Sequence, residues 1–175
     1  MNLMRPMAAT GRYRRGEETP WGNLRFTGRD GTEWVPPAHP EEESARLYGY
    51  KAESQVKMSM SPEEYRHLAE QIWVHRQGVD PSKLASIKER ETEEAHDRGL
   101  AKRFRSGEVV DAAFLDIDPD TMDPVSQEGA HRTALAEALG MKKIPVIVYA
   151  RGRHGHEMAS SGFRERLRRY GEVVG

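Results

Sequence analysis

Residues 110–150 read VDAAFLDIDPDTMDPVSQEGAHRTALAEALGMKKIPVIVYA, and three kinds of local order are legible in them. Ala113 to Ile117 alternate as a half-buried strand requires, and Ile144 to Tyr149 form a β-branched run around Pro145 that predicts a second strand. Between them, from His131 to Leu139, the small and aliphatic residues Ala134, Leu135, Ala136, Ala138 and Leu139 predict a helix, and Gly140 suits its left-handed end. The helix therefore opens at Gly129 to Arg132, directly after Glu128. First-turn amides have no partner within a helix, the helix dipole places positive charge there, and a glycine lets the backbone come close to a ligand. Those features together make an anion site. Arg132 adds a planar fork for phosphate oxygens, His131 a further donor, and Glu128 a group able to accept a proton or orient a metal. A plainer reading fits the same residues, with Arg132 paired to a surface carboxylate and Glu128 to the helix terminus.

The order of these features resembles the ParB-like/sulfiredoxin superfamily over roughly residues 54–150. The residues that carry the resemblance are Phe114-Leu115-Asp116-Ile117, an Asp and Pro turn, Val125-Ser126-Gln127, Glu128-Gly129-Ala130-His131-Arg132, the alanine-rich helix, Gly140 and Ile144-Pro145-Val146-Ile147-Val148. It implies an α+β fold, a small ParB/sulfiredoxin-like mixed sheet packed with helices, whose Gly-x-x-Arg turn cradles nucleotide phosphates. It also implies ATP or another nucleoside triphosphate with Mg²⁺ as the ligand. Gly129, Ala130, His131 and Arg132 would be nucleotide-binding positions, with Glu128, His131 and Arg132 as candidate catalytic residues. By register, His67 and Gln71 on the preceding helix would reach the nucleotide. Glu-Gly-x-His-Arg versions of the turn are similar to domains of phage and mobile-element proteins.

Departures from the pattern narrow the activity. Sulfiredoxin has a catalytic cysteine where this chain has Ala130, and no cysteine occurs anywhere, so sulfinic acid reduction is excluded. Partition ParB proteins carry Glu-Arg-Arg after the glycine, against Ala130 and His131 here, and Glu64 stands where sulfiredoxin has a lysine. The stretch after Ala150 is too short for the ParB helix-turn-helix, so a centromere-binding role is not expected.

The chain's 175 residues predict one domain with appendages, and 37% hydrophobic content a small core under much polar surface. Mean hydropathy is −0.80. The net charge of −1 gives no global attraction to nucleic acid or membrane. Without cysteine there are no disulfides, and with no long apolar run or signal-peptide core the expected setting is the cytoplasm, or a virion, and no membrane.

Residues 1–53 predict an N-terminal arm, a hairpin and a linker helix. Arg5, Arg12, Arg14 and Arg15 make the arm basic; Trp21 and Trp34, read as packing residues, flank a hairpin turned at Arg29-Asp30-Gly31; Pro40 and Glu41 to Glu43 open the linker helix. Residues 54–150 form the main domain. Val56, Met58 and Met60 alternate as a strand; Ser61, Pro62 and Glu64 cap a helix whose stripe is Tyr65, Leu68, Ala69 and Ile72. A charged helical insertion at about 81–105 reads as solvent-facing. Residues 151–175 form a basic tail and helix with Arg151, Arg153, Arg164, Arg166, Arg168 and Arg169. The basic ends are candidate contacts for DNA or phage proteins, with solvent as the alternative.

No metal site is expected from the residues. Of Asp116, Asp118, Asp120 and Asp123 the first three alternate, yet Thr121 and Gln127 stand where a calcium loop needs glycine and glutamate. His154-Gly155-His156-Glu157 lacks zincin spacing. Two function classes remain: a nucleotide-binding enzyme for phosphoryl or group transfer in phage DNA transactions or DNA modification, and a noncatalytic interaction protein that keeps the fold as a scaffold.

Overall fold

Alternation sorts the side chains of the central strands to two unlike faces. In β2 (Ala113–Ile117), Ala113, Leu115 and Ile117 are fully buried, while Phe114 and Asp116 take the opposite face. A computed structural model of the chain describes residues 18–174, so the basic arm with Arg5, Arg12, Arg14 and Arg15 lies outside the described residues. Within them the fold is α+β: a six-stranded mixed sheet packed with helices, in the order β3-β2-β4-β1-β6. The ranges are β1 Gln55–Met60, β3 Pro124–Glu128, β4 Ile144–Gly152 and β6 Glu172–Val173, with β5 (Gly155–His156) folded back on the end of β4. β2 and β4 run parallel, and the other pairs are antiparallel.

One face is apolar. Val56, Met58 and Met60 of β1, Leu115 and Ile117 of β2, and Val146, Val148 and Ala150 of β4 join one hydrophobic cluster with helix residues. Helix α2 (Pro62–Gln77) contributes Tyr65, Leu68 and Ala69, and its N-cap forms as the sequence predicts, the amide of Glu64 donating to Ser61 Oγ at 3.0 Å. Helix α5 (Ala130–Ala138) connects β3 to β4 and contributes Leu135 and Ala136. The other face is mostly polar, with Gln55 and Lys57 in register beside Tyr149 and Ile147, Asp116 beside Tyr149, and Ser126 beside Asp116. Helix α1 (Pro40–Tyr48) lies across it through a Tyr149–Ser44 hydroxyl bond of 2.5 Å and a Lys57–Glu41 ion pair of 2.7 Å.

Both ends of the described residues are built into this body. Trp21 and Trp34 are buried, their indoles donating to the carbonyls of Met58 (2.8 Å) and Val110 (3.1 Å). The expected hairpin is a turn at Arg29–Gly31 held by an isolated Thr27–Glu33 bridge and a bond from Trp34 N to Phe26 O, not a full ladder. Its amide at Arg29 donates to Leu139 O at 2.7 Å and its guanidinium to Ala138 O, satisfying carbonyls that the end of α5 would otherwise leave open. At the other terminus, α6 (Ser161–Leu167) buries Phe163 and Leu167, and β6 pairs with β1. Arg166, Arg168 and Arg169 are exposed there, and Arg168 pairs with Glu165.

The charged insertion differs from its reading as a solvent-facing segment. It forms α3 (Leu84–Asp97) and α4 (Leu100–Ser106), and it buries Glu91, Ala95, Leu100, Ala101 and Phe104. The physical reason is a charge hidden in the apolar stripe: Glu91 accepts from Arg66 Nη1 at 2.6 Å, and each partner's side chain is under a tenth exposed. Among the described residues, no helix is long and apolar enough to cross a membrane.

Candidate functional site

The loop between β3 and α5 is shaped by Gly129, at φ +127. A Cβ there would lie 3.0 Å from Ala113 Cβ and 3.1 Å from Arg132 Nη2, so only glycine brings the loop this close to β2. The first helical bond of α5 runs from Thr133 N to Gly129 O at 3.0 Å. The amides of Gly129, Ala130, His131 and Arg132 have no hydrogen-bond partner among the described residues. That is the arrangement that favours an anion at a helix N-terminus.

Arg132 stands in the first turn of α5 and its side chain is 17% exposed. Its guanidinium donates to both carboxylate oxygens of Glu128, at 3.1 and 2.8 Å, and to the carbonyl of Ala112 at 2.9 Å. The fork read as open to phosphate is therefore closed on the chain itself, with Nε buried and without a partner. Burial disfavours the guanidinium charge, but the hydrogen bonds and charge of Glu128 outweigh it and hold the group above its ordinary pKa. Glu128 is the exposed partner, at 56%.

His131 is bonded at Nε2 to Glu94 Oε1, 2.9 Å away on α3, and that bond holds the Glu94 carboxyl below its ordinary range. The pair joins the first turn of α5 to the insertion. Behind the loop, Tyr65 places its hydroxyl within bonding distance of Gln127 Oε1 (2.7 Å), Glu128 O (3.0 Å) and Phe114 O (3.1 Å). Burial raises the phenol pKa far above its usual value, so Tyr65 is a fixed neutral strut.

Two clefts open from this loop, and both are bordered by Glu128, Gly129, Ala130 and His131. One, of ≈ 240 Å³, adds Arg132 with Arg98, Leu100 and Arg103 from the insertion. The other, of ≈ 390 Å³, adds Trp73 and Gln77 of α2 with Ile87, Arg90 and Glu91 of α3. The first cleft thus faces the unbonded amides with three arginines. Arg98 and Arg103 were missed by sequence reading, because nothing local shows which way a charged insertion folds; Gly99, at φ +81, turns the chain between them.

The structure brings Glu128, Gly129, Ala130, His131 and Arg132 together, and leaves His67 and Gln71 apart. Those two bond to each other at 3.0 Å, and neither borders either cleft. The stripe of α2 that turns toward the loop is Arg66, Trp73 and Gln77, beginning one position earlier in the helical register. No group of three or more metal-binding side chains gathers among the described residues.

An α+β protein with a mixed sheet and a glycine-opened helix is the class these features define. No protein-family model matches the chain, and no curated protein matches it in sequence. Among solved structures it is similar to the Oncogenic Suppression Activity protein, a plasmid fertility inhibition factor, with 12% identity and a TM-score of 0.50 over 86% of this chain and 69% of that one. The likeness is one of fold.

Proposed function

We propose that the Glu128–Arg132 loop binds the phosphates of a nucleotide, and that the chain is a ParB-like protein in the sense of the superfamily its turn resembles. The observation that carries this reading is the set of four unbonded amides at the start of α5, facing a cleft with Arg98, Arg103 and Arg132. Arg132 serves first as a staple, holding the loop to Glu128 and to the strand at Ala112. Arg98 and Arg103 are the cations that meet the ligand, although Arg103 Nη2 also donates to Val109 O at 3.0 Å. A phosphate entering beside Arg132 would compete with Glu128 for the guanidinium. Released, Glu128 and the nucleotide's own oxygens would hold Mg²⁺, which keeps most of its waters and needs few protein ligands. When bound, the ion would neutralise phosphate charge for transfer or hydrolysis. A mobile-element setting in phage or plasmid DNA transactions is proposed with this reading, and a neighbour that is a plasmid factor is compatible with it.

One observation favours the noncatalytic scaffold instead: both Nη groups of Arg132 are already used within the chain. Thermal denaturation with ATP, CTP, GTP or ADP and Mg²⁺ separates the readings. Nucleotide binding predicts a rise in Tm with at least one, equal to about 2.7 kcal/mol at a hundredfold excess over Kd. Arg98→Ala and Arg103→Ala should each weaken that nucleotide about tenfold, the loss of one charge-assisted bond, with the fold retained. No rise with any nucleotide would leave the scaffold.

A further inference from the structure

A third cavity lies on the polar face of the sheet, and the mechanism above makes no use of it. It has a volume of ≈ 130 Å³ and is lined by Tyr50, Phe114, Asp116, Ser126, Gln127 and Glu128. Its volume is close to that of the cavity of about 150 Å³ that admits benzene, so it suits one ring system. Two of the lining side chains, Tyr50 and Phe114, are aromatic. Tyr50 packs against Tyr149 and His156 with centroids 4.0 and 4.1 Å apart, and Phe114 meets Tyr149 at 5.8 Å.

Asp116 gives this pocket its chemistry. Its side chain is 3% exposed, and both of its hydrogen bonds fall on one oxygen: Ser126 Oγ donates to Oδ2 at 2.8 Å and Arg151 Nη1 to the same atom at 2.9 Å. Oδ1 accepts no hydrogen bond from the described residues and is not enclosed among the buried unpartnered atoms. A buried carboxylate fixed by two donors on one oxygen thus presents the other to a ring-sized space bordered by Tyr50 and Phe114. A ligand for it must be flat and carry an N–H donor at its edge.

We propose that this pocket binds a nucleobase, stacked against Tyr50 or Phe114 with an amino or ring N–H donated to Asp116 Oδ1. Glu128 borders both this pocket and the phosphate clefts, so the base can belong to a nucleotide held at the loop or enter without one. Only the first source rests on the phosphate reading.

The test is titration calorimetry of the full chain with adenosine, cytidine, guanosine and uridine, then with the 5′-triphosphates and Mg²⁺. At least one nucleoside should bind saturably. Tyr50→Leu should weaken it at least about fivefold, the low end for one stacked base, and Asp116→Asn about tenfold. Because Asp116 is buried, Tyr50→Leu is the variant that guards against loss of folding, and far-UV circular dichroism checks both. A triphosphate that binds more tightly than its nucleoside, with the gain reduced about tenfold in Arg98→Ala, places base and phosphates in one ligand. Equal affinities would retain the base pocket and remove the phosphate site. No nucleoside binding at several millimolar, or binding indifferent to both pocket substitutions, overturns the proposal whatever the triphosphates do at the loop.

Discussion

The two faces of the sheet use the same strands for different ends. On one, Leu115, Ile117, Val146 and Val148 are fully buried, with no polar group to satisfy. On the other, one residue out of phase, Asp116 is held by Ser126 and Arg151, Tyr149 by Ser44, and Glu128 reaches past the strand end to Arg132. The apolar face draws its stability from area removed from water, and it tolerates no function. The polar face keeps groups poised with acceptors or charges to spare. Proteins concentrate chemistry where such groups are over-determined by their surroundings, and both candidate sites begin from this face or its edge.

Substitutions can break that contrast. Leu115→Ala, on the apolar face, should show the largest loss of stability, about 2–5 kcal/mol by chemical denaturation, with ligand affinity of the folded fraction unchanged. A loss of affinity without a loss of stability would mean that the faces do not divide their roles. Gly129→Ala tests the edge. Its positive φ and the 3.0 Å approach to Ala113 should cost about 1–3 kcal/mol and, by lifting the loop, weaken any phosphate ligand more than it weakens the fold. On the polar face, Arg151→Ala removes one of the two donors to Asp116, and with Arg151 itself 45% exposed the cost should be only about 1–2 kcal/mol. A larger loss would mark the pair as part of the core.

The smallest effect is pH dependence at His156. Burial, opposed by Asp116 and aided by Arg151, lowers its pKa from the ordinary value. The unfolded chain then binds more protons than the folded one between the two values. Stability should be full above about pH 6.5, decline as the pH falls from there, and level off below the lowered value. Comparing Tm across that window for the native chain and His156→Phe should show a shallower decline in the variant. An unchanged slope would assign the decline to other groups.

Much of the apolar face was legible in the sequence, because alternation in Val56 to Met60 and Ala113 to Ile117, the β-branched run of Ile144 to Tyr149 and the Ser61-Pro62 start of α2 are local signals. β3 was not legible as a strand. It begins with Pro124, which cannot donate to a ladder, at a register shift between Asp116 and Ile117. β6 has two residues and forms only because Gly171 lets the chain lie against Ser59, where a Cβ would stand 2.2 Å from the carbonyl oxygen. The loop itself was readable from Glu128-Gly129 and the helix behind it. Its surroundings were not: the insertion that sets Arg98 and Arg103 along the cleft is anchored by Glu91 buried against Arg66, a pairing across 25 positions. The phase of α2, which sends Trp73 and Gln77 to the cleft and leaves His67 and Gln71 outside, is likewise set by tertiary packing.

The central claim is that the main-chain amides at the start of α5 hold phosphate. An amide nitrogen–proton NMR correlation spectrum recorded during titration with the Mg²⁺ nucleotides tests it atom by atom. The signals of Gly129, Ala130, His131 and Arg132 should move together and saturably with at least one nucleotide, and Arg98→Ala should raise the midpoint of that movement about tenfold in nucleotide concentration. Signals of those four residues that stay fixed at saturating concentrations of every nucleotide would contradict it.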